Sequence, residues 1–207
     1  MMNRSRALAA LLVLAGVSVP AGAGYTAPKT LLSMTTGSVT SQPIGHYEFC
    51  RLNRDECNVK SKSSTLPRLT PHGWDVVRDI NRTVNAAITP VTDTEAYGRE
   101  EVWAYPVDAG DCEDFVLLKR KKLMQAGFSP ADLLITVVRK PDGEGHAVLT
   151  LRSAQGDFVL DNLVDDVKPW TETSYTYLKR QASFDSGRWV TIRSEEHTSE
   201  LQSRFGI

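Results

Sequence analysis

Three residues that can cooperate in nucleophilic catalysis follow one another along the chain: Cys112, His146 and Asp161. A thiolate is the effective nucleophile, and its pKa falls at a helix N-terminus and beside an imidazolium. Cys112 comes directly before a helical pattern, whereas His146 begins a strand-like run and Asp161 lies near the end of the next run. A turn at 153–156 would make Asp161 the diagonal neighbour of His146 on one face. An Asp there can orient the imidazole while its other nitrogen faces the thiol.

Each of these residues also has an ordinary structural interpretation. A free Cys is among the most buried residue types, His146 could simply end a strand, and Asp161 with Asn162 could form a turn. A register shift of one residue would turn Asp161 to the other face. The order of the three residues favours a thiol catalytic site, and spacing alone leaves the structural alternative open.

The helices that must position the thiol can be read from hydrophobic periodicity. Thr70-Pro71 is a typical helix start, and apolar residues then recur at helical spacing until Thr89-Pro90. We expect this helix to serve core packing. A second amphipathic helix is predicted after Cys112 and ends at Gly127.

Three strand-like runs follow, at 133–139, 146–151 and 158–163, with turn residues between them. The aromatic-rich segment 170–192 is expected to pack over the edge of the sheet. Two helices followed by antiparallel strands predict an α+β fold.

The N-terminus predicts export. Arg4 and Arg6 precede the apolar run 7–19, and Pro20 to Ala23 supply a small-residue cleavage pattern, so 1–23 is typical of a secretory signal peptide. A membrane anchor or a buried helix is the alternative, but the run is shorter than the ~20 residues that a spanning helix needs. We expect a periplasmic or secreted protein that does not span the membrane after signal cleavage.

Charge limits the partners. Lys and Arg number 24 and Asp and Glu number 25, for a formal net charge of -1. General nucleic-acid binding needs a basic excess to contact phosphates. We therefore expect no nucleic-acid partner.

The segment 24–70 is an N-terminal extension rich in Ser, Thr, Pro and Lys, and it carries Cys50 and Cys57. In an exported protein, two cysteines this close predict a disulfide that closes a small loop. A metal site that also uses His46 is the alternative, but it would have three ligands in no recognised spacing.

Several motifs resemble those of the bacterial transglutaminase-like cysteine peptidases, the family that includes the periplasmic LapG-type proteases. They are Gly110-Asp111-Cys112-Glu113-Asp114-Phe115, Gly145-His146-Ala147-Val148-Leu149 and Leu160-Asp161-Asn162, with Thr92-Asp93, Tyr97-Gly98, Trp103 and Tyr105-Pro106 upstream and Lys179-Arg180-Gln181 downstream. The resemblance covers 44–192, and the chain looks closest to a short, disulfide-bearing branch of the family.

This resemblance implies a papain-like, transglutaminase-type core over 71–192, with the nucleophile at a helix N-terminus packed on an antiparallel sheet. It makes Cys112 the nucleophile, His146 the general base and Asp161 the orienting acid. The implied reaction is cleavage of a protein or peptide substrate through an acyl-enzyme.

The resemblance also implies calcium, with Asp111, Glu113 and Asp114 as the acidic cluster beside the thiol. Carboxylate oxygens suit a hard cation, although the chain contains no calcium-loop pattern. Acids that favour the helix macrodipole are the alternative.

Other functions remain open from the sequence. The same triad could transfer an acyl group to an amine, as transglutaminases do, and the fold could serve as a non-catalytic secreted binding module. A cell-wall amidase is less favoured, because Glu113-Asp114 follows the Cys where amidases usually have Ser-Gly. A regulatory membrane receptor is conceivable as a partner.

The segment 193–207 contains the run RSEEHTSELQS, which matches an in-frame translation of a sequencing-adapter oligonucleotide. We interpret it as a non-native tail and leave its His197 out of the functional argument.

Overall fold

The computed structural model describes residues 32–62 and 65–193. The predicted signal peptide at 1–23 and nearly all of the predicted tail at 193–207 lie outside these residues. Within the described part of the chain, no helix is long and apolar enough to cross a membrane.

The first half of the described chain is mainly helical. Its elements are β1 (Thr36–Thr40), α1 (Ile44–Leu52), α2 (Arg54–Cys57), α3 (Pro71–Ala87), β2 (Thr89–Pro90), α4 (Asp93–Tyr97), β3 (Ala109–Gly110) and α5 (Cys112–Gln125). The helix predicted after Thr70 is α3, and the Thr70 hydroxyl caps it by accepting from the Gly73 N–H. The helix predicted after Cys112 is α5.

The second half is mainly sheet. After a 3₁₀ turn at Pro130–Asp132 come β4 (Leu133–Arg139), β5 (Gly145–Ser153), β6 (Gly156–Leu160), β7 (Lys168–Pro169), a 3₁₀ turn at Trp170–Glu172, β8 (Thr176–Ala182) and β9 (Asp185–Ile192). The strands form one seven-stranded sheet in the order β1-β9-β8-β4-β5-β6-β7, with every neighbouring pair antiparallel. The two short strands β2 and β3 pair in parallel beside it.

The expectation for 170–192 was wrong. This segment forms β8 and β9, and β8 hydrogen-bonds to β4 inside the sheet instead of covering its edge. Burial of aromatic side chains favours these strands. Trp189 of β9 is completely inaccessible in the main core, and Tyr177 of β8 is buried in a second cluster with Val138 and Val148.

The β5–β6 hairpin has the register that the sequence predicted. Ser153 pairs with Gly156 and Leu149 with Leu160, so continuing the ladder would bring residue 163 opposite His146. The strand ends earlier than expected, at Leu160, because the Asp161 carboxylate accepts the Leu163 N–H and turns the chain. Asp161 therefore lies just beyond the strand.

Helix α5 packs against β5 and α3, and its buried Val116, Leu117 and Leu123 join the main core with Leu149 and Trp189. The nucleophile candidate thus begins a helix that rests on an antiparallel sheet. The predicted α+β fold class is confirmed.

The described part of the N-terminal extension packs onto the same sheet and core. Strand β1 pairs with β9, and Phe49 of α1 is buried in the main core. Cys50 and Cys57 form a disulfide that ties α1 to α2. The predicted disulfide is therefore present.

Candidate active site

Cys112 is the first residue of α5, directly after the two-residue strand β3. Gly110 allows the backbone before α5 to lie close to the Asp114 side chain, because a Cβ at that position would be 2.6 Å from Asp114 Oδ2. The thiol is therefore held at a helix N-terminus, where backbone N–H groups lack partners within the helix.

His146 and Asp161 are in direct contact. Asp161 Oδ1 lies 2.9 Å from His146 Nε2, and both side chains are buried. This contact engages Nε2, so Nδ1 is the nitrogen left to act on another group. The diagonal arrangement expected from the hairpin register is what brings the two side chains together.

Further donors surround the Asp161 carboxylate. The Leu163 N–H donates to Oδ1 at 3.0 Å, and the Tyr175 hydroxyl donates to Oδ2 at 2.5 Å. Burial opposes ionisation of this group, but the hydrogen bonds from His146, Leu163 and Tyr175 hold the pKa of Asp161 below its ordinary value. Asp161 is therefore an anion that can orient a histidine at neutral pH.

Helix α3 does more than the core packing expected of it. Asn85 Nδ2 donates to the Asp161 carbonyl at 2.9 Å, and Asn81 Nδ2 donates to the carbonyls of Val164 and Asp165. These two asparagines lie one turn apart and hold the loop that carries Asp161. Sequence reasoning missed them, since no local pattern links a helix amide to a loop so far along the chain.

Cys112 and His146 line one cavity of about 420 Å³. Ile44, Trp103 and Val137 give its wall an apolar character, whereas Glu101 and Lys179 bring charge to it. The thiol and the imidazole therefore face the same cavity.

The thiol is difficult to ionise in this state. Its Sγ donates to Glu113 Oε2 at 3.0 Å. Burial, the Glu113 charge and this hydrogen bond raise the pKa of Cys112 well above its ordinary value, against a smaller opposing effect of a hydrogen bond from the Ala147 backbone. Burial is the main reason, and the neighbouring Glu113 and Asp111 carboxylates add to it.

Three carboxylates converge beside the thiol. Ligand oxygens of Asp93, Asp111 and Glu113 lie within 4.8 Å of one another. Burial, together with the Asp111 carboxylate, raises the pKa of Glu113 to about 8. Burial and the Asp93 carboxylate likewise raise the pKa of Asp111. Such a group of crowded oxygens is suited to a divalent cation.

The structure thus groups Asp93 with two of the three acids that the sequence singled out. Asp114, the third, is fully buried, and its Oδ1 accepts the Ala104 N–H at 2.8 Å. Burial raises the pKa of Asp114 to about 7. The Asp114 carboxyl positions the loop before β3. For Asp93, the acid that joins Asp111 and Glu113, the one signal in the sequence was the motif Thr92-Asp93.

His46 lies close to the disulfide sulfurs but is engaged elsewhere. Both ring nitrogens lie 3.6 Å from Cys50 Sγ, while the indole N–H of Trp189 donates to Nδ1 and the Gln181 amide contacts Nε2. Because both sulfurs are joined in a disulfide, neither is a thiolate ligand for a metal.

A comparison with protein-family models decides the family. Residues 36–197 match the model described as bacterial transglutaminase-like cysteine proteinase. The chain belongs to this family. It is accordingly a cysteine peptidase, an enzyme whose substrates are proteins or peptides.

Solved structures similar to this member of the family include LapG from Legionella pneumophila. The calcium-bound form is 18% identical and covers 78% of this chain and 93% of its own, with a TM-score of 0.49. The EGTA-treated form is 19% identical and covers 79% and 91%, with a TM-score of 0.48. No curated protein matches the sequence significantly.

Proposed function

We propose that this family member is an exported thiol peptidase that works through Cys112, His146 and Asp161 and acts on a periplasmic or cell-surface protein. The observation that carries the proposal is the 2.9 Å contact between His146 Nε2 and Asp161 Oδ1, made by a histidine that lines the same cavity as Cys112. The apolar run at the N-terminus supports export. A regulatory membrane receptor stays a prediction.

In the proposed reaction the Cys112 thiol first gives its proton to His146 Nδ1. The sulfur then attacks the carbonyl carbon of the substrate, and a carbon–sulfur bond forms. Backbone N–H groups at the start of α5 hold the oxyanion. When the peptide C–N bond breaks, the imidazolium gives its proton to the leaving amine, and water activated by His146 later hydrolyses the thioester.

We further propose that Asp93, Asp111 and Glu113 hold Ca²⁺. Their fit rests on three converging carboxylates and on the buried Asp111 Oδ1, which has no hydrogen-bond partner among the described residues. A bound Ca²⁺ would supply positive charge that lowers the pKa of the neighbouring thiol. If Glu113 bound the cation, it would no longer accept the hydrogen bond from the Cys112 thiol.

The test is the rate at which iodoacetamide alkylates Cys112 as a function of pH, with the disulfide intact and with either calcium or EGTA. An ordinary thiol ionises with a pKa of about 8.5. We expect alkylation in calcium to persist well below that pH and to fall in His146→Ala. The matched control is His72→Ala, because His72 is exposed on α3.

A folded protein whose thiol reacts only at or above about pH 8.5 in both conditions would contradict the proposal. It would favour a non-catalytic binding module instead. With a reactive thiol established, incorporation of an amine into a glutamine substrate would indicate acyl transfer in place of hydrolysis.

A further inference from the structure

Tyr175 contacts both members of the His146–Asp161 pair from a position that no motif singles out. It lies between the 3₁₀ turn at Trp170–Glu172 and strand β8. Its hydroxyl donates to Asp161 Oδ2 at 2.5 Å, and its ring packs edge-on against His146 with 5.6 Å between centroids. A single side chain therefore touches the carboxylate and the imidazole together.

The two oxygens of Asp161 have different partners. Oδ1 accepts from His146 and from the Leu163 backbone, whereas Tyr175 is the donor at Oδ2. A carboxylate fixed at both oxygens cannot rotate about its Cβ–Cγ bond without breaking a charge-assisted hydrogen bond. Tyr175 thus sets which oxygen, and which lone pair, faces the imidazole.

We propose that Tyr175 is a positioning residue of the peptidase site, which locks Asp161 so that His146 keeps Nε2 engaged and presents Nδ1 to Cys112. The inference deepens the proposed function and rests on it. Burial and the Asp161 hydrogen bond raise the pKa of Tyr175 well above its ordinary value, so the hydroxyl stays a donor over the working pH range.

A purely structural role would predict a different outcome on substitution. Tyr175 is half-buried, and Tyr175→Phe keeps the ring and its contact with His146 while it removes the donor. Tyr177 offers the matched control, because its hydroxyl bonds to Thr173 and to the Trp170 carbonyl and not to Asp161. The two variants remove the same atom from neighbouring tyrosines.

The experiment measures the iodoacetamide alkylation rate of Cys112 against pH, in calcium, for wild type, Tyr175→Phe and Tyr177→Phe. We expect Tyr175→Phe to react about three- to tenfold more slowly than wild type below about pH 7, since a thiolate there depends on the oriented imidazolium. The rates should converge above about pH 9, where the thiol ionises without His146. Tyr177→Phe should follow the wild-type profile.

An Asp161→Asn background separates positioning from packing. If Tyr175 acts through Asp161, Tyr175→Phe should add no further loss of rate in that background. Suppose that the alkylation rate of wild-type Cys112 depends on His146 but that its pH profile is the same in Tyr175→Phe. That result would overturn this inference and leave the proposed function standing. An equal loss with and without Asp161 would also overturn it. A wild-type thiol that is unreactive at acidic pH would overturn the proposed function itself.

Discussion

At the scale of single residues, the proposed nucleophile Cys112 lies among groups that oppose its ionisation. The Glu113 carboxyl accepts a hydrogen bond from the Cys112 thiol, and Asp111 and Asp93 lie beside it with further carboxylates. Burial and the nearby negative charge raise the pKa of the thiol, so this site favours a neutral thiol. A cation that reverses this local charge would switch the thiol from inert to reactive.

The cation proposal predicts the behaviour of Asp93→Asn. Loss of one carboxylate from the cluster should weaken Ca²⁺ binding by about tenfold or more, because charged oxygens dominate the affinity of hard cations. Calorimetric titration with Ca²⁺ measures this directly. Asp108→Asn removes an exposed carboxylate nearby and should bind Ca²⁺ as wild type does. Equal affinity in Asp93→Asn and wild type would show that the cluster is not the site.

Spacing in the sequence, a helix start and one hairpin, predicted that Cys112, His146 and Asp161 lie near one another. The structure places Cys112 and His146 in one cavity and His146 in contact with Asp161, and their catalytic roles stay a prediction. Tyr175 and Asp93 could not be found in this way. Tyr175 reaches Asp161 only through the placement of β8 beside β4. Asp93 follows Thr92, the N-cap of α4, so its local sequence already explains an acid in the first turn of a helix.

At the scale of elements, α1 forms one wall of the cavity through a close approach that only glycine allows. A Cβ on Gly45 would lie 2.2 Å from Trp103 Cδ1 and 2.9 Å from the Glu101 carbonyl oxygen. Glu101 itself has a φ of 60°, a left-handed conformation that costs a non-glycine residue energy. The packing of α1 on this loop therefore fixes the position of Trp103 in the wall of the cavity that it shares with Cys112.

This close approach predicts that Gly45→Ala lowers the free energy of unfolding by about 1–3 kcal/mol, since the methyl group has no space. Denaturant unfolding measures the loss. Gly73→Ala in α3 is the control, because its Cβ would meet Leu69 and Thr70 at an ordinary 3.5 Å. That control should be neutral or stabilise the helix by up to about 1 kcal/mol. A Gly45→Ala protein as stable as wild type would contradict the packing argument.

The helices α3 and α5 and the strands β4 to β6 were predictable from the sequence. In each of them the hydrophobic period and the flanking turn residues indicate the same type of element. The strands β1, β8 and β9 were not. Their edges carry register shifts, and charged side chains such as Lys179 and Arg180 interrupt the alternation that would have marked β8. Arg180 is nevertheless buried in an ion pair with Asp157, a long-range contact with no local signal.

At the scale of the whole molecule, α5 carries charge into the interior. Lys119 is completely inaccessible, and its Nζ has no hydrogen-bond partner among the described residues. Burial lowers the pKa of Lys119 to about 7, against a partial opposing effect of the Asp161 and Asp165 charges. A buried, unpaired ammonium is costly, so the fold gives up stability at this position.

We expect Lys119→Met to raise the free energy of unfolding at pH 7 by about 1–3 kcal/mol. Between pH 7 and about 10.5 the unfolded wild-type chain binds more protons at this lysine than the folded chain does. Wild-type stability should therefore rise with pH, and the advantage of Lys119→Met should narrow. Denaturant unfolding at several pH values tests both statements, with the exposed Lys122→Met as control. An advantage that does not change with pH would count against a buried ammonium.

The packing of His46 on Trp189 has a consequence for how the cavity wall forms during folding. The first helix can bury its histidine only after the last described strand has arrived, and Trp103 in the cavity wall packs against both rings. The cavity wall around Cys112 is therefore completed by contacts between the two ends of the described chain, which are slow to form because they are far apart in sequence.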